Sequence, residues 1–109
     1  MITGKLLRIF LDEDDRIGGR PLHLAIVDAL QSAGFAGATA RKAIEGYGAS
    51  RRIRAARAHD HATGMPVLIE VIDDESKVLA FLPTLEAMMT GGLLTLENIH
   101  TIHVASASR

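Results

Sequence analysis

The sequence predicts an α+β fold of ferredoxin-like type: a βαββαβ sandwich with a four-stranded antiparallel sheet backed by two helices. Three observations carry this. Four short runs of aliphatic and β-branched residues alternate with two segments whose apolar residues recur at helical spacing, in the order β-α-β-β-α-β. The two halves match as strand-helix-strand units, although they are not sequence repeats. The chain has 109 residues and no linker or low-complexity tract, so one domain spans 1–109.

The first strand is read from Lys5 to Leu11 and ends at the acidic run Asp12, Glu13, Asp14 and Asp15. Gly18-Gly19 supplies a turn. Pro21 suits the first position of a helix, where its missing N–H costs nothing. Leu22, Ala25, Ile26, Ala29, Leu30 and Ala33 then follow one helical face, and Gly34 stops it. The second strand is read as Thr39 to Tyr47, and Gly48 to Gly64 as a long polar connection. Loops of this length in small domains are commonly functional or unstructured. Pro66 to Ile72 is the strongest strand. Asp73 or Asp74 caps the second helix, with Glu75 favouring its positive end. Val78, Leu82, Leu85 and Met89 line that helix, Pro83 is expected to kink or split it, and Gly91-Gly92 ends it. Asn98 to Val104 is read as the last strand, and the tail 105–109 is small and polar enough to fray.

Two helices cover one face of such a sheet, so the other face should alternate to polar residues. These strands do not. Leu7, Ile9 and Leu11 oppose Leu6 and Phe10, and Val67, Ile69 and Val71 oppose Leu68 and Ile72. Burying one such side chain is worth about 1.5–3 kcal/mol. The pattern therefore predicts a homo-oligomer formed through the uncovered sheet faces.

Composition narrows the function classes. A net charge of −1 gives no overall field for nucleic acid or a membrane surface. The absence of cysteine removes thiol nucleophiles, disulfides and thiolate metal sites. No secretory leader or spanning segment is read, which points to the cytoplasm. Nucleophile elbows, P-loops and zincin motifs are missing, and Ser50 has no neighbouring histidine to act as base, so no catalytic residue is assigned. His100 and His103 are three apart, which on a strand puts them on opposite faces. His59 and His61 are two apart and could share a metal with a further ligand from another copy; solvated loop histidines are the plainer alternative. The acidic run could take a hard cation but lacks the spacing of a calcium loop.

The segment Glu45-Gly46-Tyr47-Gly48-Ala49-Ser50-Arg51-Arg52 is the most suggestive stretch. Glycines let a ligand approach the backbone closely. Arg51, Arg52, Arg54 and Arg57, a third of the chain's lysines and arginines, present forked donors suited to phosphate or carboxylate.

Residues 4–104 resemble the domain-of-unknown-function family 190, whose members are similar to PII signalling proteins. The resemblance rests on Gly-Gly-x-Pro-Leu at 18–22, Ala36-Gly37-Ala38-Thr39, Glu45 to Ser50, the Pro66 to Ile72 strand, Phe81-Leu82-Pro83 and Gly-Leu-x-Thr-Leu-Glu at 92–97. It implies a trimer of ferredoxin-like subunits whose sheets face the threefold axis. It also implies a nucleotide or other anionic effector between subunits, and a loop that contacts a protein partner such as a membrane transporter. Gly46, Tyr47 and Gly48 then form the base of that loop, 49–64 the loop itself, and Thr90, Gly91 and Gly92 the phosphate-cradling segment. The chain departs from the PII pattern after Gly92, where Leu93 and Leu94 stand in place of a second glycine-rich turn and a lysine.

The expectation is thus a non-enzymatic PII-like regulator with no certain cofactor. Its effector site is drawn from Gly46, Gly48, Ser50, Arg51, Arg52, Thr90, Gly91 and Gly92, and its partner loop includes Arg54 and Arg57. The alternative is a metal-binding module using His59 and His61.

Overall fold

The computed structural model describes residues 1–42, 45–46, 54–55 and 65–105, with 45–46 and 54–55 described by their backbone alone. In chain order the elements are β1 (Ile2–Asp12), β2 (Arg16–Ile17), β3 (Arg20–Pro21), α1 (Leu22–Ser32), β4 (Ala38–Lys42), β5 (Glu45–Gly46), β6 (Arg54–Ala55), β7 (Pro66–Asp73), α2 (Glu75–Met88) and β8 (Leu93–Thr101). Four of the strands form one sheet in the order β4-β7-β1-β8. Every neighbouring pair in it is antiparallel. This is the predicted α+β, ferredoxin-like arrangement.

β1 occupies the centre because its alternation serves both neighbours. It pairs with β7 from Lys5↔Asp73 to Asp12↔Pro66 and with β8 from Ile2↔Thr101 to Phe10↔Leu93. Leu7, Ile9 and Leu11 point to one face, together with Val67, Ile69 and Val71 from β7, and pack under Leu22, Ile26 and Leu30 of α1 and Val78, Phe81 and Leu85 of α2. All twelve are buried.

The helix ends follow their local chemistry. Pro21 sits one residue before α1, in extended conformation (φ −57°, ψ 128°), and the Leu22 N–H is taken by the Asp15 carbonyl at 2.8 Å. At the other end Gly34 adopts φ +87°. Its N–H donates to Gln31 O, and that of Phe35 to Leu30 O, both at 3.1 Å; this is a Schellman closure, which needs a left-handed residue at that position. Lys77 Nζ then donates to Gly34 O at 2.8 Å and lies 5.6 Å from the Phe35 ring centroid. Phe35 packs edge-on against Phe81, centroids 5.4 Å apart. The end of α1 is thereby fastened to the start of α2.

Four expectations are corrected. α2 is not split at Pro83 but continues from Glu75 to Met88. Proline removes the N–H that would reach Leu79 O, but Leu79 and Pro83 are both exposed, so that carbonyl can bond water instead. Asp74 stands at the N-cap without a side-chain cap bond; Asp73 Oδ1 instead accepts from Asp74 N at 2.7 Å. The last strand covers Leu93–Thr101, beginning and ending earlier than read, because it must run beside β1. The second strand is described in the main sheet over Ala38–Lys42, and Glu45–Gly46, read as part of it, pair instead with Arg54–Ala55 in a separate two-stranded ribbon. The long connection therefore folds back on itself at its base.

Ile69, fully buried, and Ile72, 49% exposed, lie on opposite faces of β7. Ile69→Ala should cost about 2–5 kcal/mol of stability in urea unfolding. Ile72→Ala should cost clearly less when unfolding is followed at concentrations where the chain is monomeric, and equal losses there would contradict the assigned faces.

Candidate functional site

The predicted site residues that the structure describes in full are Thr90, Gly91 and Gly92. They form the exposed turn between α2 and β8. The chain leaves α2 at Met89, which is extended (φ −98°, ψ 140°). Gly92 follows at φ +114°, and a Cβ there would lie 2.6 Å from Phe10 O and 2.9 Å from Met89 Cε. Backbone conformation and lack of space both demand glycine. Gly91 has open room around it. The turn is therefore pinned to the end of β1 on one side and open to solvent on the other.

An open depression of about 250 Å³ lies at this turn, lined by Glu86, Met89, Gly91, Gly92 and Leu94. Sequence reading missed Glu86. It stands in the last turn of α2, where the helix already carries partial negative charge, and an acid so placed is a local conflict that the sequence does display. The depression by itself therefore suits a hydrogen-bond donor or a cation better than an anion.

Gly46 is placed in the ribbon, its backbone opposite Arg54. Gly48, Ser50, Arg51, Arg52, Arg57, His59 and His61 lie outside the described residues, as does the 105–109 tail beyond Ala105. Among the described residues no group of three His, Cys, Asp or Glu side chains is placed to hold a metal ion. The acidic run is instead a closed turn: Asp15 N donates to Asp12 O and Asp15 Oδ2 accepts from Asp12 N, both at 3.0 Å. Glu13 N bonds Met65 O at 2.8 Å, and its carboxylate pairs with Lys42 at 2.6 Å. His100 is exposed on β8, and His103 is exposed beyond the strand's end.

The face of the sheet away from the helices is the second feature. From register it carries Leu6, Arg8 and Phe10 of β1, Leu68, Glu70 and Ile72 of β7, Thr39 and Arg41 of β4, and Leu93, Thr95, Glu97 and Ile99 of β8. Phe10, Ile72 and Leu93 are exposed, Leu93 to 58%. The face read from the sequence as apolar is corrected to a mixed one: six of these twelve residues are apolar, and the other six, Arg8, Thr39, Arg41, Glu70, Thr95 and Glu97, are polar or charged. A row of alternating charges crosses it: Arg41 Nη2 lies 3.4 Å from Glu70 Oε1, Glu70 Oε2 accepts from Arg8 Nε at 2.9 Å, and Arg8 Nη1 donates to Glu97 Oε1. The hydrogen bond to Glu70, with smaller help from Glu97, raises the Arg8 pKa against a partial desolvation that lowers it. Because the shift is upward, the stabilisation it represents is fully present below arginine's ordinary pKa and is lost only as pH rises through the higher folded value.

Comparison with known proteins places these features in a lineage. The DUF190 family, described as Uncharacterized ACR, matches residues 4–101. A UPF0166 protein of Aquifex aeolicus is 35% identical over 104 residues, covering 95% of this chain and 98% of its own. A UPF0166 protein of Methanocaldococcus jannaschii is 34% identical over 101 residues, covering 92% and 93%. Among solved structures, a Thermus thermophilus chain named as a PII-like signalling protein superposes with a TM-score of 0.67 at 23% identity, covering 90% of this chain and 88% of that one. CPII of Thiomonas intermedia, a nitrogen regulatory PII-like protein solved with ADP, AMP and bicarbonate, superposes with a TM-score of 0.60 at 22% identity, covering 89% and 86%. The fold is thus that of PII-like proteins. Among the described residues no helix is long and apolar enough to cross a membrane.

Gly92→Ala should lower stability by about 1–3 kcal/mol, from a strained φ and a clash with Phe10 O. Gly91→Ala should stay within about 0.5 kcal/mol of the parent. Thermal unfolding of the two variants checks the contrast.

Proposed function

The chain belongs to the DUF190 family, and from that premise we propose that it is a non-enzymatic, PII-like regulatory protein of the cytoplasm. Its subunits assemble as a homotrimer through the open sheet faces. A small anionic effector, with adenine nucleotides and bicarbonate the first candidates, binds between subunits. There Gly46, Gly48, Ser50, Arg51 and Arg52 meet the Thr90–Gly92 turn of the same or a neighbouring subunit. Binding fixes the 49–64 loop, which then engages or releases a protein partner through residues such as Arg54 and Arg57; a membrane transporter is the kind of partner considered.

The observation that supports this reading is the Gly92 turn, taken together with the arginines Arg51 and Arg52 that would offset the acidic Glu86 beside it. Its backbone is held hard against β1 while its outer side opens on a depression, which is what a main-chain cradle for a ligand requires. CPII, a protein of the same fold, binds ADP, AMP and bicarbonate, and this supports the choice of candidates. Ordering loop residues costs about 1–2 kcal/mol each, so an effector of modest affinity fixes only part of the loop.

Isothermal titration calorimetry against ADP, AMP, bicarbonate and simple anions tests the proposal. Saturable binding is expected for at least one. Arg51→Ala with Arg52→Ala should weaken it at least about tenfold, the loss of roughly 1.4 kcal/mol. Silence across the panel from an intact oligomer would remove the effector reading.

A further inference from the structure

The row of charges on the open face has ends of opposite sign. It starts at Arg41 on β4, one edge of the sheet, and finishes at Glu97 on β8, the other edge. The two inner members are the more enclosed, Arg8 at 35% and Glu70 at 25% side-chain exposure, against 63% for Arg41 and 54% for Glu97. The inner pair is mutually satisfied, while each outer group engages one neighbour and presents the rest of its side chain to solvent. A guanidinium has five donors and a carboxylate can accept from more than one partner, so both ends retain capacity.

We propose that this row directs the ring closure of identical subunits: Arg41 at the β4 edge of one copy pairs with Glu97 at the β8 edge of the next. The inference rests on the self-association reading above and specifies its determinants. Three observations favour a second copy as the occupant of this face. The row has two positive and two negative members, so it sums to zero and can be covered without an unbalanced charge. Its ends are complementary to each other, so a head-to-tail neighbour answers both, as a cyclic, heterologous interface requires. A partner carrying one sign of charge would satisfy one end and repel the other. Flanking the row, Phe10, Ile72 and Leu93 are exposed and Leu6, Leu68 and Ile99 half-buried; these offer apolar surface for association, while the charges set register and direction.

Sedimentation velocity on the full chain tests this with Arg41→Glu and Glu97→Lys. Each single variant should raise the dissociation constant of self-association at least about tenfold at low salt, with a smaller effect at high salt where exposed charges are screened. Arg41→Gln and Glu97→Gln should give the same direction with smaller size. Combining both changes in one chain, Arg41→Glu with Glu97→Lys, should restore association above either single, and mixing the two singles should restore it part-way, because in a ring of three two of the three contacts then become complementary. Singles that assemble as well as the parent overturn the proposal, as do weakened singles that the charge-swapped double variant does not rescue. A parent chain that stays monomeric defeats the self-association reading itself, a different outcome from either.

Discussion

Everything in this molecule depends on one strand that must satisfy two neighbours and two faces at once. β1 exchanges backbone hydrogen bonds with β7 on one side and β8 on the other along nearly its whole length. With side chains alternating along it, each residue is committed to the helix layer or to the opposite face. Leu7, Ile9 and Leu11 anchor the core. The same periodicity forces Leu6, Arg8 and Phe10 outward, and two helices cannot reach around to cover them. A shift of one residue in register would exchange the sets and bury Arg8 among Val78, Phe81 and Leu85. Core and open face are therefore specified by one choice.

The uncovered face is where packing passes into function. An apolar surface left in water invites indiscriminate association. The Arg41–Glu70–Arg8–Glu97 row changes that. Crossing the face, it makes any covering surface answer four alternating charges or leave them unpaired in a partly dry setting, which is costly. Apolar area supplies affinity, and the charges restrict the partner. The row is held within the chain by two hydrogen bonds from Arg8 and the Arg41–Glu70 ion pair, so it is arranged before any partner arrives.

Much of this was legible in the sequence because it follows from periodicity. The apolar alternation in β1 and β7 gave the buried face, while the outward Arg8 and Glu70 were passed over in reading the other; the Gly34 stop fell where a left-handed residue closes α1, and the Thr90–Gly92 turn was placed correctly between α2 and β8. What escaped depended on partners distant in the chain. The start of β8 at Leu93 is set by pairing with Phe10, far back in the sequence. The Arg54–Ala55 strand exists because Glu45–Gly46 lie opposite it. Pro83 breaks helices as a local rule, yet here the orphaned carbonyl belongs to exposed Leu79 and the rule yields. The charge row joins residues from four strands, and no window of sequence contains it. Of the arginine loop, the base alone has a described place.

Electrostatics at the turn connects these pieces. Glu86 carries a full negative charge, and the end of α2 adds the equivalent of about half a charge more. An anion approaching the Gly91-Gly92 backbone alone would meet net repulsion. Attraction must come from cations brought by another element, and Arg51 and Arg52 are the ones the sequence holds between Glu45–Gly46 and Arg54–Ala55. On the proposed reading, anion affinity is then conditional on where that loop sits. A ligand that binds well only to one loop position shifts the population toward it by that same difference in affinity. The acidic lip, which looks unfavourable for an anion site when viewed alone, is what would make effector binding report on the loop rather than on the turn.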